Sequence, residues 1–271
     1  MTVLVNRVSY FFDILKKYLE GVDCACPNCG SKESRLVTTK YLVLQLRRCN
    51  NCLVMYKVPK QDPDENRLFY QKDYNEPGLT SEFPVEQELA FLIKTNFRNS
   101  EKDFSGQIEL IRSIKKSGSL LDFGSSWGYG VYQFNQAGFK AIGYDISKRM
   151  AEFGREKLGV EIICLLDSLK NTRQGSFDII FSSHVFEHLP YVNDYLSLFH
   201  NLLKQEGIIV IIVPNCNGID NKETAVKKKS YAFGKKHNFA FDDLFWRHNL
   251  PRLNFKLLEL SQELRIIAQK S

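Results

Sequence analysis

Between residues 119 and 213, short runs of Leu, Ile, Val and Phe alternate with stretches whose apolar residues recur every three or four positions. Such runs suit strands buried on both faces, and the spacing between them suits helices that cover the sheet. The pattern predicts strands over 120–123, 140–144, 160–165, 177–182 and 207–213. Five strand-and-helix repeats over roughly 100 residues predict a parallel α/β sheet. A helical pattern over 241–253, with Leu244, Phe245 and His248, runs into Pro251, which predicts an irregular last turn. Two further short strands are read over 255–260 and 264–268.

At the other end, Val5, Val8, Phe12, Leu15 and Leu19 recur at helical spacing, with Asp13, Lys16, Lys17 and Glu20 mostly between them. An amphipathic helix over 1–23, packed on the rest of the protein, is expected, with a membrane-surface helix as its rival. Residues 1–22 show no basic leader, continuous apolar stretch or cleavage site, and the longest apolar run, 208–214, suits a buried strand. The expected compartment is therefore the cytoplasm, where thiols stay reduced. The 271 residues are 44% hydrophobic and 25% charged, which excludes a largely disordered chain. A net charge of +6 permits anionic partners without demanding them.

Cysteine usage adds a second unit. Of seven cysteines, four form Cys26-Pro27-Asn28-Cys29 and Cys49-Asn50-Asn51-Cys52. In each pair two intervening residues let a tight turn present both sulfurs to one ion, and two such knuckles complete a tetrahedron. Gly30 stands where a knuckle needs an easy backbone turn, and 35–48 reads as strand or hairpin. The expectation is a zinc-ribbon module over 24–60 holding structural Zn2+, with no open position for chemistry. Cys24 is a spare neighbour, while Cys164 and Cys216 read as core residues.

After the first strand comes Asp122-Phe123-Gly124-Ser125-Ser126-Trp127-Gly128-Tyr129-Gly130, then a helical pattern. Strand, glycine turn and helix place a nucleotide-like cofactor over a helix N-terminus. The dinucleotide fingerprint would need glycine at Gln133, and no P-loop lysine follows. The pattern resembles motif I of class I S-adenosylmethionine (SAM) methyltransferases. Asp145 ends the second strand, where a carboxylate can accept hydrogen bonds from both ribose hydroxyls. The resemblance covers 106–271 and implies a Rossmann-like sheet with an antiparallel last strand. It implies SAM contacts from Asp122, Phe123, Gly124, Ser125, Trp127, Gly128, Gly130, Asp145, Ile146, Asp167, Ser168 and Ser183, with Asp167 and Ser168 at the adenine. Trp127 is expected either against the methionine portion or simply filling the loop. The cysteine module is similar to that of sugar, glycan and secondary-metabolite methyltransferases with an N-terminal zinc-binding region.

His184, Glu187 and His188 follow the fourth strand, at the carboxyl edge where an open α/β sheet holds its ligands. In similar sugar methyltransferases a Glu-His pair takes the acceptor's proton, so His188 is the expected base and Glu187 its orienting partner. Three other readings stay open for these residues. H-x-x-E-H is also an inverted zinc-protease signature. Quinone-pathway O-methyltransferases place E-x-x-E-H here for a divalent metal. The pair could also simply cap the following helix and hold the loop. Tyr70 and Tyr74, in the connector over 61–105, are expected as a lid or as packing, and Asn215 and His237 as acceptor-facing residues. Lys222, Lys227, Lys228, Lys229, Lys235 and Lys236 read as a solvated loop or as a basic gate for a phosphorylated substrate.

The expected function is methyl transfer to O or C of a small molecule, such as a sugar, nucleotide-sugar or glycan precursor. The alternatives are a zinc-ribbon RNA methyltransferase and a SAM-binding protein without turnover. The modest net charge and the absence of aromatics interleaved with basic residues weigh against nucleic acid.

Overall fold

The computed structural model describes residues 14, 16–19, 21–41, 43–62, 82–220, 225–234 and 236–271 (at 172 and 225–227 the backbone only). Most of the expected 1–23 helix, the aromatic stretch with Tyr70 and Tyr74, and Lys222 and Lys235 lie outside them. Residues 16–19 are helical, but Leu19 is 83% exposed, while Ile14 is buried against Leu44, Met55 and Phe233. Leu19 therefore does not serve the apolar face assigned to it.

The main sheet has seven strands: β4 (Ser119–Phe123), β5 (Lys140–Tyr144), β6 (Ile162–Ile163), β7 (Phe177–Ser183), β8 (Leu203–Ile212), β10 (Phe255–Leu260) and β11 (Arg265–Lys270). Their order is β10-β11-β8-β7-β4-β5-β6. From β6 to β8 neighbouring strands are parallel, and β11 enters antiparallel between β8 and β10. Strand β4 is the central switch: the chain leaves it for β5 and β6 on one side, then returns to β7 and β8 on the other. Apolar runs build this centre because both faces are covered; Leu120, Leu121, Ile179, Ile180, Ile209 and Val210 are fully buried. The third strand is shorter than expected. Cys164 and Leu165 leave the sheet edge, and Leu165 is 69% exposed.

Helices fill the expected gaps. Of those that matter here, α1 spans Glu86–Lys94, α2 Ser105–Ile114, α3 Tyr129–Gln136, α4 Lys148–Leu158, α5 Leu166–Thr172, α6 Val192–Leu202, α7 Ala225–Ala232 and α8 Asp243–Asn249. Helix α4 starts where the Ser147 hydroxyl accepts from Met150 N and stops at left-handed Gly159. The expected 241–253 helix is α8 followed by a separate 3-10 turn, Pro251–Leu253, because proline breaks the ladder. Helix α7 falls within the lysine stretch that reads as a solvated loop or a basic gate.

The cysteine unit forms a second sheet, β1 (Ser34–Lys40), β2 (Leu44–Cys49) and β3 (Met55–Val58), and its fourth strand is β9 (Phe239–Ala240) from the far side of the main domain. The 24–60 segment is thus not closed on itself. Cys26, Cys49 and Cys52 share one apolar cluster with Leu121, Phe186, Phe199 and Trp246. Asn249 Nδ2 donates to Cys52 O at 2.8 Å, and Asn193 N donates to Asn28 Oδ1 at 2.8 Å. Among the described residues no helix is long and apolar enough to cross a membrane.

Candidate active site and cysteine centre

Two loops meet at the carboxyl end of the switch: 124–128 after β4 and 184–188 after β7. Gly124 is left-handed (φ 87°), and a Cβ there would collide with the Val185 side chain. Glycine is therefore required for this close approach. Gly124 N and Ser125 N both donate to Tyr144 O, at 2.7 and 3.0 Å, tying the turn to β5. Gly128, also left-handed (φ 82°), caps α3, and a Cβ on Gly130 would press on Asp122 Oδ2 and the Phe104 ring. Phe123 is buried and stacks on Tyr144 at 4.7 Å.

Asp145 ends β5 as expected and is nearly buried. Its Oδ2 accepts from Ser126 N at 2.8 Å and its Oδ1 from Ser147 N at 2.9 Å. Each oxygen keeps further acceptor capacity for ribose hydroxyls. Burial raises its pKa to about 6 against the pull of those two amides. Asp122 is raised further, to about 8, by burial and then by the charge of Asp145. Ser125 Oγ is buried without a hydrogen-bond partner. A glycine turn that tolerates no Cβ, an orphaned hydroxyl and a strand-tip carboxylate fit a SAM molecule laid across the edge.

The other expected site residues differ in burial and in partners. Trp127 is fully buried and packs with Leu89, Leu92, Phe97 and Met150, so it locks the connector onto the domain. Asp167 and Ser168 lie in the first turn of α5 and are exposed; the Asp167 carboxylate faces Lys170 at 3.9 Å. Ile146 and Ser183 are half-buried, at the end of β5 and of β7. Asn215 turns its side chain to backbone: its Nδ2 donates to Gln262 O, and its Oδ1 accepts from Asn217 N at 2.7 Å. Gln133, which stands where a third glycine would have been, accepts from Phe104 N at 2.9 Å and donates to Lys102 O at 2.8 Å. It pins the connector where a dinucleotide site would have had bare backbone.

His184, Glu187 and His188 come together. His184 is left-handed (φ 55°), and Phe186–His188 is a single 3-10 turn. The two histidines therefore do not share a helix face, as the protease reading requires. Helix α6 follows Tyr191, whose side chain does not cap it, and its first turn is met instead by Asn28 Oδ1, which accepts from Asn193 N. Glu187 is 2% exposed; its Oε1 lies 3.5 Å from His184 Nδ1 and 3.8 Å from His188 Nε2, and its Oε2 has no partner. Burial opposes ionisation of Glu187, yet His184, His188 and His237 together hold its carboxyl below the usual range. The Glu187 hydrogen bond raises His184, whereas burial lowers His188 and takes His237 down to about 4.

His237 joins this cluster from 49 residues on, its ring edge-on to His188 at 4.6 Å. Asn238, which the sequence did not single out, holds the loop: its N donates to Glu187 O at 2.7 Å and its Nδ2 to His188 O at 2.8 Å. A half-buried asparagine beside a histidine leaves no periodic signal. Of the lysines, Lys228 Nζ donates to Asn217 O, and the Lys236 carbonyl lies 3.1 Å from His188 Nδ1.

The four expected cysteines converge. Cys26 and Cys52 Sγ are 3.6 Å apart, as are Cys29 and Cys49 Sγ, and all four sulfurs lie within 4.8 Å of one another. A tetrahedral ion with bonds of about 2.3 Å sets sulfurs about 3.8 Å apart, so the donor set fits zinc. The knuckles repeat: Cys26 N donates to Ser31 O and Cys49 N to Val54 O, with Gly30 and Leu53 both left-handed after the second cysteine of each pair. Asn28 and Asn51 aim side-chain amides at Cys52 and Cys29 sulfurs, each at 3.6 Å.

Comparison with known proteins agrees with this geometry. A family model described as "Methyltransferase domain" matches residues 121–211, from β4 to the end of β8. The C-methyltransferase NovU of Streptomyces niveus is 27% identical over 100 residues, 35% of this chain and 24% of its own length. The match thus spans about a quarter of that relative. A SAM-dependent methyltransferase from Archaeoglobus fulgidus superposes with TM-score 0.50 at 20% identity, covering 67% of this chain and 99% of that one. The 1,6-didemethyltoxoflavin-N1-methyltransferase of Burkholderia thailandensis, solved with its acceptor and S-adenosylhomocysteine, gives TM-score 0.52 at 12% identity, covering 88% and 99%. At these identities the structures show the fold. Residues 121–211 thus match a methyltransferase domain, and the sheet around them has the fold of these solved methyltransferases.

Proposed function

We propose that the protein transfers the methyl group of SAM to an oxygen or carbon of a small molecule, of which a sugar, nucleotide-sugar or glycan precursor is the leading class. The observation that carries this reading is the contact of Gly124 with Val185. It sets the expected donor loop directly against the loop that bears His184, Glu187 and His188. SAM supplies a methyl already activated by its sulfonium, so the chain has to align the acceptor, exclude water and take a proton. Asp145 would hold the ribose, and the 124–130 turn would hold the methionine portion. His188 is the base in this reading and Glu187 its orienting partner. The NovU match supports a carbon acceptor, by the activity that its own name states. The cysteine centre is read as structural zinc, which would brace the sheet that carries β9 beside the acceptor loop.

The test is to incubate the protein with SAM and a panel of nucleotide sugars and other small hydroxylated metabolites, and to record the mass gain of one methyl. Turnover on a member of the panel, lost in His188→Ala with SAM binding intact, is the expected result. No turnover across the panel, with salt-sensitive capture of RNA, contradicts it.

A further inference from the structure

We infer that Glu187, His188 and His237 form a second metal site, distinct from the cysteine centre, for a first-row divalent cation that prefers imidazole. The three residues come from two segments, the turn after β7 and the residues before β9. Each offers one ligand atom, and these atoms lie within 4.8 Å of one another. Two histidines with one carboxylate suit ions such as zinc, cobalt or nickel better than magnesium or calcium, which prefer oxygen.

The surroundings point the same way. A histidine that binds a metal through one nitrogen usually gives the other ring N–H to a backbone carbonyl, which fixes the tautomer and aims the ring. Both histidines are built in this way. His188 Nδ1 lies 3.1 Å from Lys236 O, and His237 Nδ1 lies 2.6 Å from Tyr231 O. With those N–H groups committed, Nε2 of each ring is an electron-pair donor. His188 Nε2 then faces Glu187 Oε1 at 3.8 Å, a separation that a shared cation would bridge. Glu187 Oε2 is buried with no partner, although an unpaired buried carboxylate oxygen is costly. The backbone is shaped to the cluster as well. A Cβ on Gly234 would lie 2.8 Å from the His237 ring, so the glycine lets that ring sit down on the chain.

Cation capture requires no methyl donor, so it stands apart from the proposed reaction. Three protein ligands leave open coordination positions, as catalytic metal sites do and four-cysteine sites do not. Those positions would suit the adjacent oxygens of a hydroxylated acceptor. His188 serves as base in the metal-free protein and as ligand in the loaded one.

The experiment is a cobalt titration of the full-length chain after chelator treatment, followed by metal analysis and by absorption. Two equivalents are expected. One shows the intense thiolate charge-transfer bands of a cysteine site, and the other only the weak visible bands of nitrogen and oxygen ligands. In Glu187→Gln and in His237→Ala the second equivalent should be lost, while the thiolate bands and SAM binding stay as in the parent. A parent that binds a single, thiolate-bound equivalent overturns the inference, and so do variants that retain two. Because the readout is metal content, its failure leaves the methyl-transfer reading untouched, and loss of turnover leaves the metal count untouched.

Discussion

Arg48, on a strand of the cysteine-bearing sheet, forms a buried ion pair with Asp242, 194 residues further along the chain. Asp242 also caps α8 by accepting from Phe245 N at 3.2 Å. One carboxylate therefore serves both the cysteine sheet and the methyltransferase domain. Removing one partner of a buried pair leaves an uncompensated charge, at a cost of about 3–5 kcal/mol. Arg48→Met should lower the thermal midpoint of the whole chain in a single transition, as read by calorimetry. Two separate transitions, with only the smaller one shifted, would show an independent module.

Zinc removal should have the same reach. Three of the four cysteines, Cys26, Cys49 and Cys52, share an apolar cluster with Phe186 of the 184–188 turn and with Trp246. Chelation, or Cys49→Ser, should remove one zinc by metal analysis and also weaken SAM-dependent turnover. A chelated protein with unchanged melting and turnover contradicts a structural role.

Gly124 has a sharper outcome. Alanine there would combine a left-handed backbone with a clash on Val185, a strain of about 1–3 kcal/mol. Gly124→Ala should bind SAM much more weakly by calorimetric titration. Gly138→Ala, where the added Cβ meets nothing within 4 Å, should bind SAM like the parent although its own φ of 90° costs some stability.

Asp122 predicts a pH effect on the SAM-free protein. Burial, and then Asp145, raise its pKa to about 8, so the folded state holds this proton more tightly than the unfolded chain does. The resulting stability is present below the ordinary carboxylate range and is lost as pH rises through about 8. The melting temperature should fall between about pH 4 and about pH 8 and level off above, and Asp122→Asn should flatten that fall. An unchanged slope in the variant would assign the effect to other groups.

The main sheet was legible because its signals are local. Lys140–Tyr144 matches the expected strand residue for residue, and Asp145 stands at its tip. The cysteine spacing likewise predicts a convergence that the structure contains. What stayed hidden depends on contacts distant in sequence. Phe239–Ala240 is too short to show a period, yet it completes the cysteine sheet. Trp127 reads either as a cofactor contact or as a filler of the glycine loop, and only the folded connector shows Phe97 packed on it from the other side, at 6.0 Å. Asp167 follows the third strand as expected, but α5 begins one residue earlier and turns its carboxylate toward solvent. His237 was expected near the acceptor; its approach to Glu187 depends on the packing of α7 and Gly234.

The most direct test of the central claim is a calorimetric titration of the protein with SAM, set beside NADH and a flavin. One SAM per chain should bind, and Asp145→Ala should weaken it on the order of tenfold or more while the fold is kept. No heat with SAM, or a nicotinamide or flavin binding in its place with the same dependence on Asp145, would contradict the account.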